Sequence, residues 1–216
     1  MRIDIATKVF ADRQILGKLN FEISRGERVA LVGPSGIGKS TLIRVLAGLD
    51  TAFQGHIEGS RNTAIVFQEP TLLPWRNALA NIMLPTGCDR NLALSLMTEV
   101  GLQGRETAYP RQLSLGQQRR LALARALAAR PDTLFLDEAF ASLDQETSGR
   151  MLALTKTLLK DRNITLLLAT HDLREAQELC TRIIAISGTP AEIVLDRPID
   201  NDIARIQTDL DALSAS

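Results

Sequence analysis

The sequence predicts an α/β fold built on a mainly parallel sheet. Three observations carry that expectation. Short aliphatic runs recur along the chain, among them Val29-Ala30-Leu31-Val32, Thr133-Leu134-Phe135-Leu136 and Ile164-Thr165-Leu166-Leu167-Leu168-Ala169, and each reads as a strand buried on both faces. Segments with helical apolar spacing lie between them. The first run leads into a glycine-rich turn and then directly into a helix.

Taken in order, residues 1–32 read as short strands: a run to Phe10, a second over 14–23, a turn at Ser24-Arg25-Gly26-Glu27, and the strand entering Gly33. A helix over 41–46 stops near Gly48. Residues 63–67 form a strand ending at Gln68. From about Pro70 to Ala129 the chain is rich in Leu and Ala, with breaks at Pro85-Thr86-Gly87, Gly101 and Gly104, which predicts a helical subdomain. A strand over 133–137 has an acidic end, 145–160 is an amphipathic helix, and the strand over 164–169 ends at Thr170-His171. Strands near 182–186 and 191–195 follow. Ile203, Ile206, Leu210 and Leu213 have the spacing of a packed tail helix over 202–213. There are no internal repeats and no low-complexity linkers.

Composition sets the outer bounds. A chain of 216 residues, 45% hydrophobic and 23% charged, supports one large globular domain. The net charge of +0 implies no basic face, so no nucleic-acid partner is expected. Cys88 and Cys180 lack metal-ligand spacing and read as thiols in a reducing compartment. Met1-Arg2-Ile3-Asp4-Ile5 has no apolar signal region, and no run approaches the ~18 apolar residues of a membrane span. A cytoplasmic protein is expected, free to dock on a membrane partner.

Gly33-Pro34-Ser35-Gly36-Ile37-Gly38-Lys39-Ser40-Thr41 fits the phosphate-loop pattern G-x-x-x-x-G-K-[ST] at every fixed position, between a strand and a helix as the pattern requires. The glycines let backbone N–H groups curl inward toward oxygen anions, and the helix N-terminus adds partial positive charge. Lys39 can reach β- and γ-phosphates, and the Ser40 hydroxyl can ligate Mg²⁺. Three further strand ends matter, because strand ends in this fold class face one crevice. Gln68 follows one. Asp137 ends a buried aliphatic strand, so its carboxylate faces the nucleotide and helps to hold Mg²⁺. Glu138 beside it can align or deprotonate an attacking water; the plainer role is to charge the N-terminus of the next helix. His171 ends the third strand, near a γ-phosphate. His56, in a loop after Gly55, has no such context.

Leu113-Ser114-Leu115-Gly116-Gln117 opens a second helix and supplies a second anion-binding helix start. If the two motifs lie on different subdomains, one copy cannot close both on the same γ-phosphate. A two-fold dimer can, with each phosphate loop facing the other copy's Ser114 and Gly116.

Together these residues identify a resemblance: the chain is similar along essentially its full length to the ATP-binding cassette subunits of ABC transporters. The resemblance implies a P-loop NTPase core with a mainly parallel sheet, an N-terminal antiparallel β subdomain and a helical subdomain. Residues 1–69 and 130–216 would form the core with its β subdomain, and 70–129 the helical subdomain. The family's glutamine loop matches Gln68, its signature Leu113 to Gln117, its catalytic glutamate Glu138, its D-loop Ser142-Leu143-Asp144 and its switch histidine His171. This implies ATP and Mg²⁺ as cofactors, Ser40, Gln68 and Asp137 at the metal, and Glu138, His171 and Gln68 in catalysis. Phe10 matches the adenine-stacking aromatic; a buried strand Phe is the alternative. Val66-Phe67-Gln68-Glu69-Pro70-Thr71-Leu72-Leu73-Pro74-Trp75-Arg76 and Ser187-Gly188-Thr189-Pro190-Ala191-Glu192-Ile193 resemble importer ATPases of the nitrate, sulfonate and taurine class. In those importers this region meets a permease helix, and Trp75 is either an anchor there or an ordinary aromatic. The implied function is an ATPase that energises an importer, with a second copy of itself and membrane permease subunits as partners, on the inner face of the cell membrane. A non-transport or export-type cassette is the alternative.

The chain departs from the family in places. Leu115 stands where glycine is usual, which predicts slower turnover, and Ala139 where proline is common. The segments between Gly48 and Gln68 and across the helical subdomain look short.

Overall fold

The computed structural model describes residues 1–59, 62–141, 143–160, 162–199 and 208. The expected tail helix over 202–213, and Ser142, lie outside the described residues.

Two sheets form the frame. The smaller is antiparallel and joins β1 (Arg2–Phe10), β2 (Arg13–Leu16), β3 (Leu19–Glu22) and β5 (Gln54–Glu58). The larger has the order β10 (Glu192–Pro198), β9 (Arg182–Ser187), β4 (Arg28–Val32), β8 (Thr165–Thr170), β7 (Thr133–Asp137), β6 (Thr63–Val66). From β9 to β6 all neighbours run parallel, and only β10 is antiparallel.

Two expectations are corrected here. The run over 14–23 is two strands, divided at Gly17-Lys18, each pairing with a different stretch of β1. His56 sits on strand β5, not in a loop. The segment Gln-Gly-His-Ile-Glu carries one aliphatic residue, so no alternating pattern announces it. Backbone pairing with β1 makes it a strand. Gly55, its second residue, has φ +138°, and a Cβ there would lie 2.2 Å from the Asp4 carbonyl oxygen, so only glycine allows the strands to approach.

Among the described residues six α-helices pack around the sheets: α1 (Lys39–Leu46), α2 (Ala78–Thr86), α3 (Arg90–Glu99), α4 (Leu115–Ala128), α5 (Gln145–Lys160) and α6 (Leu173–Leu179). None of the described helices is long and apolar enough to cross a membrane. The parallel strands divide two apolar cores by simple alternation. Val29 and Leu31 of β4, with Phe135 and Leu167, face α1 and the antiparallel sheet. Ala30 and Val32, with Leu136 and Leu168, face α2 to α6. The strands are buried on both sides, which is why they read as unbroken aliphatic runs.

Candidate active site

Register fixes which residues leave the large sheet together. Val32 of β4 lies opposite Thr170 of β8, Asp137 of β7 opposite Ala169, and Val66 of β6 opposite Leu136. The four connections that follow therefore emerge side by side: Gly33 onward, His171, Glu138 and Gln68. Parallel strands place all their C-terminal ends on one edge, and that edge carries the chemistry.

The glycine-rich turn ends in the α1 N-terminus. Gly38 caps the helix at φ +117°, and a Cβ there would lie 2.9 Å from Leu16 Cδ2, so the antiparallel sheet presses on the turn where no side chain fits. Lys39 is buried. Its ammonium donates to the carbonyl oxygens of Gly33 at 2.8 Å and Pro34 at 3.1 Å, and lies 3.3 Å from Glu138 Oε1. The lysine thus touches both the loop and the candidate catalytic carboxylate. Pro34, Ser35 and Gly36 are exposed at the rim, and Thr41 is half-buried in the first turn of α1.

The Ser40 hydroxyl donates to Asp137 Oδ1 at 2.9 Å. Burial pushes the Asp137 carboxyl above its ordinary range, the Ser40 hydrogen bond opposes this, and the neighbouring charge of Glu138 pushes it further up. Ser40, Asp137 and Gln68 line one cavity of about 320 Å³ with Arg44, Phe67, Glu69 and Thr71. Arg44 is an addition the sequence did not suggest; one turn beyond Ser40, its positive charge favours ionised Asp137. Glu138 has φ +48°, a left-handed conformation that costs an L-residue roughly 1–2 kcal/mol. Its N–H donates to the Ala169 carbonyl at 3.0 Å, which ties the strained residue to the neighbouring strand.

The second glycine motif sits elsewhere. Ser114 is the N-cap of α4: its hydroxyl accepts from the Gln117 N–H at 3.2 Å, and Gln117 Oε1 accepts from the Ser114 N–H at 2.9 Å. Ser114, Leu115, Gly116, Leu143 and Asp144 border a cavity of about 700 Å³ that shares no residue with the one at Ser40 and Asp137. Asp144 accepts the Thr147 N–H at 2.9 Å, and the Thr147 side chain together with that N–H holds its carboxyl below the usual range. Leu115 occupies the first turn of α4, outside the left-handed residues, so leucine meets no backbone strain there. Phe10 is 68% exposed at the end of β1, which removes the buried-strand alternative. His171 is exposed between β8 and α6.

One buried charge near His171 was missed by reading the sequence: Glu175 on α6. The sign available was a charge on an otherwise apolar stripe, Leu173, Ala176 and Leu179 on α6.

Comparison with known proteins agrees with this geometry. The profile of a family described as "ABC transporter" matches residues 16–141. An aliphatic sulfonates import ATP-binding protein SsuB 1 of Rhodococcus jostii is 43% identical over 184 residues, covering 82% of this chain and 75% of the relative. An SsuB 2 protein of the same description from Pseudomonas syringae pv. tomato is 40% identical over 212 residues, covering 97% and 91%. The ATP-binding cassette MJ0796, solved as a dimer in a post-hydrolysis state with ADP and Pi, superposes with a TM-score of 0.77 at 29% identity, covering 92% of this chain and 97% of that one. CbiO1 from Clostridium perfringens, at 22% identity and a TM-score of 0.81 over 97% and 91% of the two chains, supports the fold alone. With its loop, its strand ends and its fold all in agreement, this chain belongs to the ABC transporter family and is one of that family's ATP-binding, ATP-hydrolysing domains.

Proposed function

We propose that this chain is the ATPase subunit of a bacterial-type importer, and that two copies close around two ATP molecules to drive a membrane permease. The observation that carries the dimer is the separation of the two glycine motifs. Lys39, Ser40, Asp137 and Glu138 form one contact network at the sheet edge, while Ser114 and Gly116 front a different cavity. A copy that presents both halves on different faces is completed by its own twin.

In this reading residues 1–69 and 130–216 bind nucleotide and 70–129 carry the signature helix start. Phe10 stacks on the base, and Gly33, Pro34, Ser35, Gly36, Gly38 and Thr41 surround the phosphates. Lys39 contacts the β- and γ-phosphates. Across the interface the other copy offers Ser114, Gly116 and Gln117, and Asp144 bridges the two sites. Glu138 accepts hydrogen bonds from the attacking water and orients it in line with the γ-phosphorus. The water oxygen bonds to the γ-phosphorus as the bond from γ-phosphorus to the bridging oxygen breaks, the bridging oxygen leaves on ADP, and the proton that water loses passes by way of Glu138 to the phosphate product. His171 and Gln68 contact the γ-phosphate edge.

The donor set suits Mg²⁺. A hydroxyl and a carboxylate oxygen lie 2.9 Å apart with Gln68 on the same cavity, and no cluster of three or more His, Cys, Asp or Glu forms a metal cage among the described residues. That sparse set fits an ion held jointly by one or two side chains, phosphates and waters. Ser40, Asp137 and Gln68 would hold it, and bound there it neutralises charge on the phosphate oxygens.

The relatives, named as aliphatic sulfonates import ATP-binding proteins, support the importer role, with aliphatic sulfonates as cargo and a permease partner on the inner face of the membrane as the reading that goes with it. The test is Glu138→Gln. It should lower kcat by ~10²–10⁴-fold, the range of one positioned acid–base group, and elute with ATP as a dimer on size-exclusion chromatography. A strictly monomeric Glu138→Gln at saturating ATP overturns the closed dimer, and co-purification with a permease distinguishes an importer subunit from a free cassette.

A further inference from the structure

We infer that Thr170 and Glu175 form a buried clasp that positions His171. The inference rests on His171 acting at the γ-phosphate, as read above.

His171 and Asp172 are the only two residues between β8 and α6. The Thr170 hydroxyl spans them. It accepts the Asp172 N–H at 2.9 Å and donates to Glu175 Oε2 at 2.5 Å. One hydroxyl therefore ties the strand end, the residue after His171 and the first turn of α6 together. Asp172 adds a second fastening: it accepts the Arg174 N–H at 2.8 Å and pairs with the Arg174 guanidinium at 3.0 Å. His171 itself is exposed. Its side chain is free at the tip and its backbone is fixed on both sides, which sets where the imidazole can reach.

The cost of this clasp argues that it has a use. Glu175 is 6% exposed, and burying a carboxylate is expensive even when a hydroxyl holds it. Burial raises the Glu175 carboxyl, the Thr170 hydroxyl opposes this, and Asp172, His171 and Glu138 also bear on it.

Three readings test the clasp. Thr170→Val removes the hydroxyl at nearly constant volume, and Thr170→Ser restores it. In the nucleotide-free chain, Thr170→Val should speed hydrogen exchange of the Asp172 amide by about tenfold, since its one acceptor is gone. In steady-state ATP hydrolysis it should lower kcat by about tenfold with KM for ATP within about twofold, the pattern of a misplaced group that acts after binding. Thr170→Ser should return both values. Combined with His171→Ala, Thr170→Val should lower kcat no further. Additive losses, equal movement of KM and kcat, or failure of serine to rescue overturn the clasp while leaving the site reading intact. Wild-type kcat in His171→Ala alone overturns the site reading, and the clasp with it.

Discussion

Asp137 shows how a single residue trades stability for readiness. Its carboxylate ends a strand that is buried throughout, so burial raises its proton affinity in the folded chain. The sign follows from linkage. The native state holds this proton more tightly than the unfolded state, so stability falls as pH rises above the ordinary aspartate value of 3.8. Ionised Asp137 is therefore a destabilising charge at neutral pH in the nucleotide-free chain. Asp137→Asn keeps an oxygen to accept from Ser40 and removes that charge. It should raise Tm at pH 7 by on the order of 2 °C, and the gain should disappear near pH 4, as followed by circular dichroism melts at both pH values. ATPase activity should be lost in the same variant. Glu138 adds to the local expense through its left-handed backbone.

Elements explain why the signature motif has two uses. Ser114 and Gln117 close a reciprocal cap at the start of α4, so the serine is structural before any phosphate arrives. Ser114→Ala should cost about 1 kcal/mol of stability in urea unfolding, the usual worth of an N-cap. Ser114→Asp keeps a capping oxygen and should stay within about 0.5 kcal/mol of the parent, yet its negative charge should prevent the ATP-dependent dimer in the Glu138→Gln background. The two variants thus separate capping from phosphate contact. Leu115 belongs to the same element, and its ordinary helical backbone explains why a leucine is accommodated where glycine is usual. Legibility in the sequence also varies by element. β7 and α5 are found over 133–137 and 145–160 as read from the chain, because a doubly buried strand and an amphipathic helix both write their burial into residue type. β5 was invisible because its stability comes from backbone pairing with β1, and hydrogen bonds of that kind select no side chains.

Over the whole molecule, one sheet separates two cores, and its C-terminal edge gathers loops from four strands. That arrangement leaves large apolar side chains outside both cores. Trp75 is 67% exposed in the segment after Gln68. A tryptophan that packs against little should matter little to folding, so Trp75→Ala should move Tm by no more than about 2 °C in differential scanning calorimetry. As an anchor on the permease it should instead weaken the assembled complex by about 2 kcal/mol, roughly thirtyfold in affinity. Unchanged affinity for purified permease would return Trp75 to an ordinary surface aromatic.

The chain alone determined the phosphate loop, where the buried strands lie along the sequence and the identity of Gln68, Asp137, Glu138 and His171 as residues at or just after strand ends. Local spacing suffices there, since a turn between a strand and a helix is a property of neighbouring residues. Only the tertiary structure decided that Lys39 meets Glu138 and that Ser40 meets Asp137. Those meetings join residues about a hundred positions apart. They depend on parallel register between strands, which no stretch of sequence carries by itself.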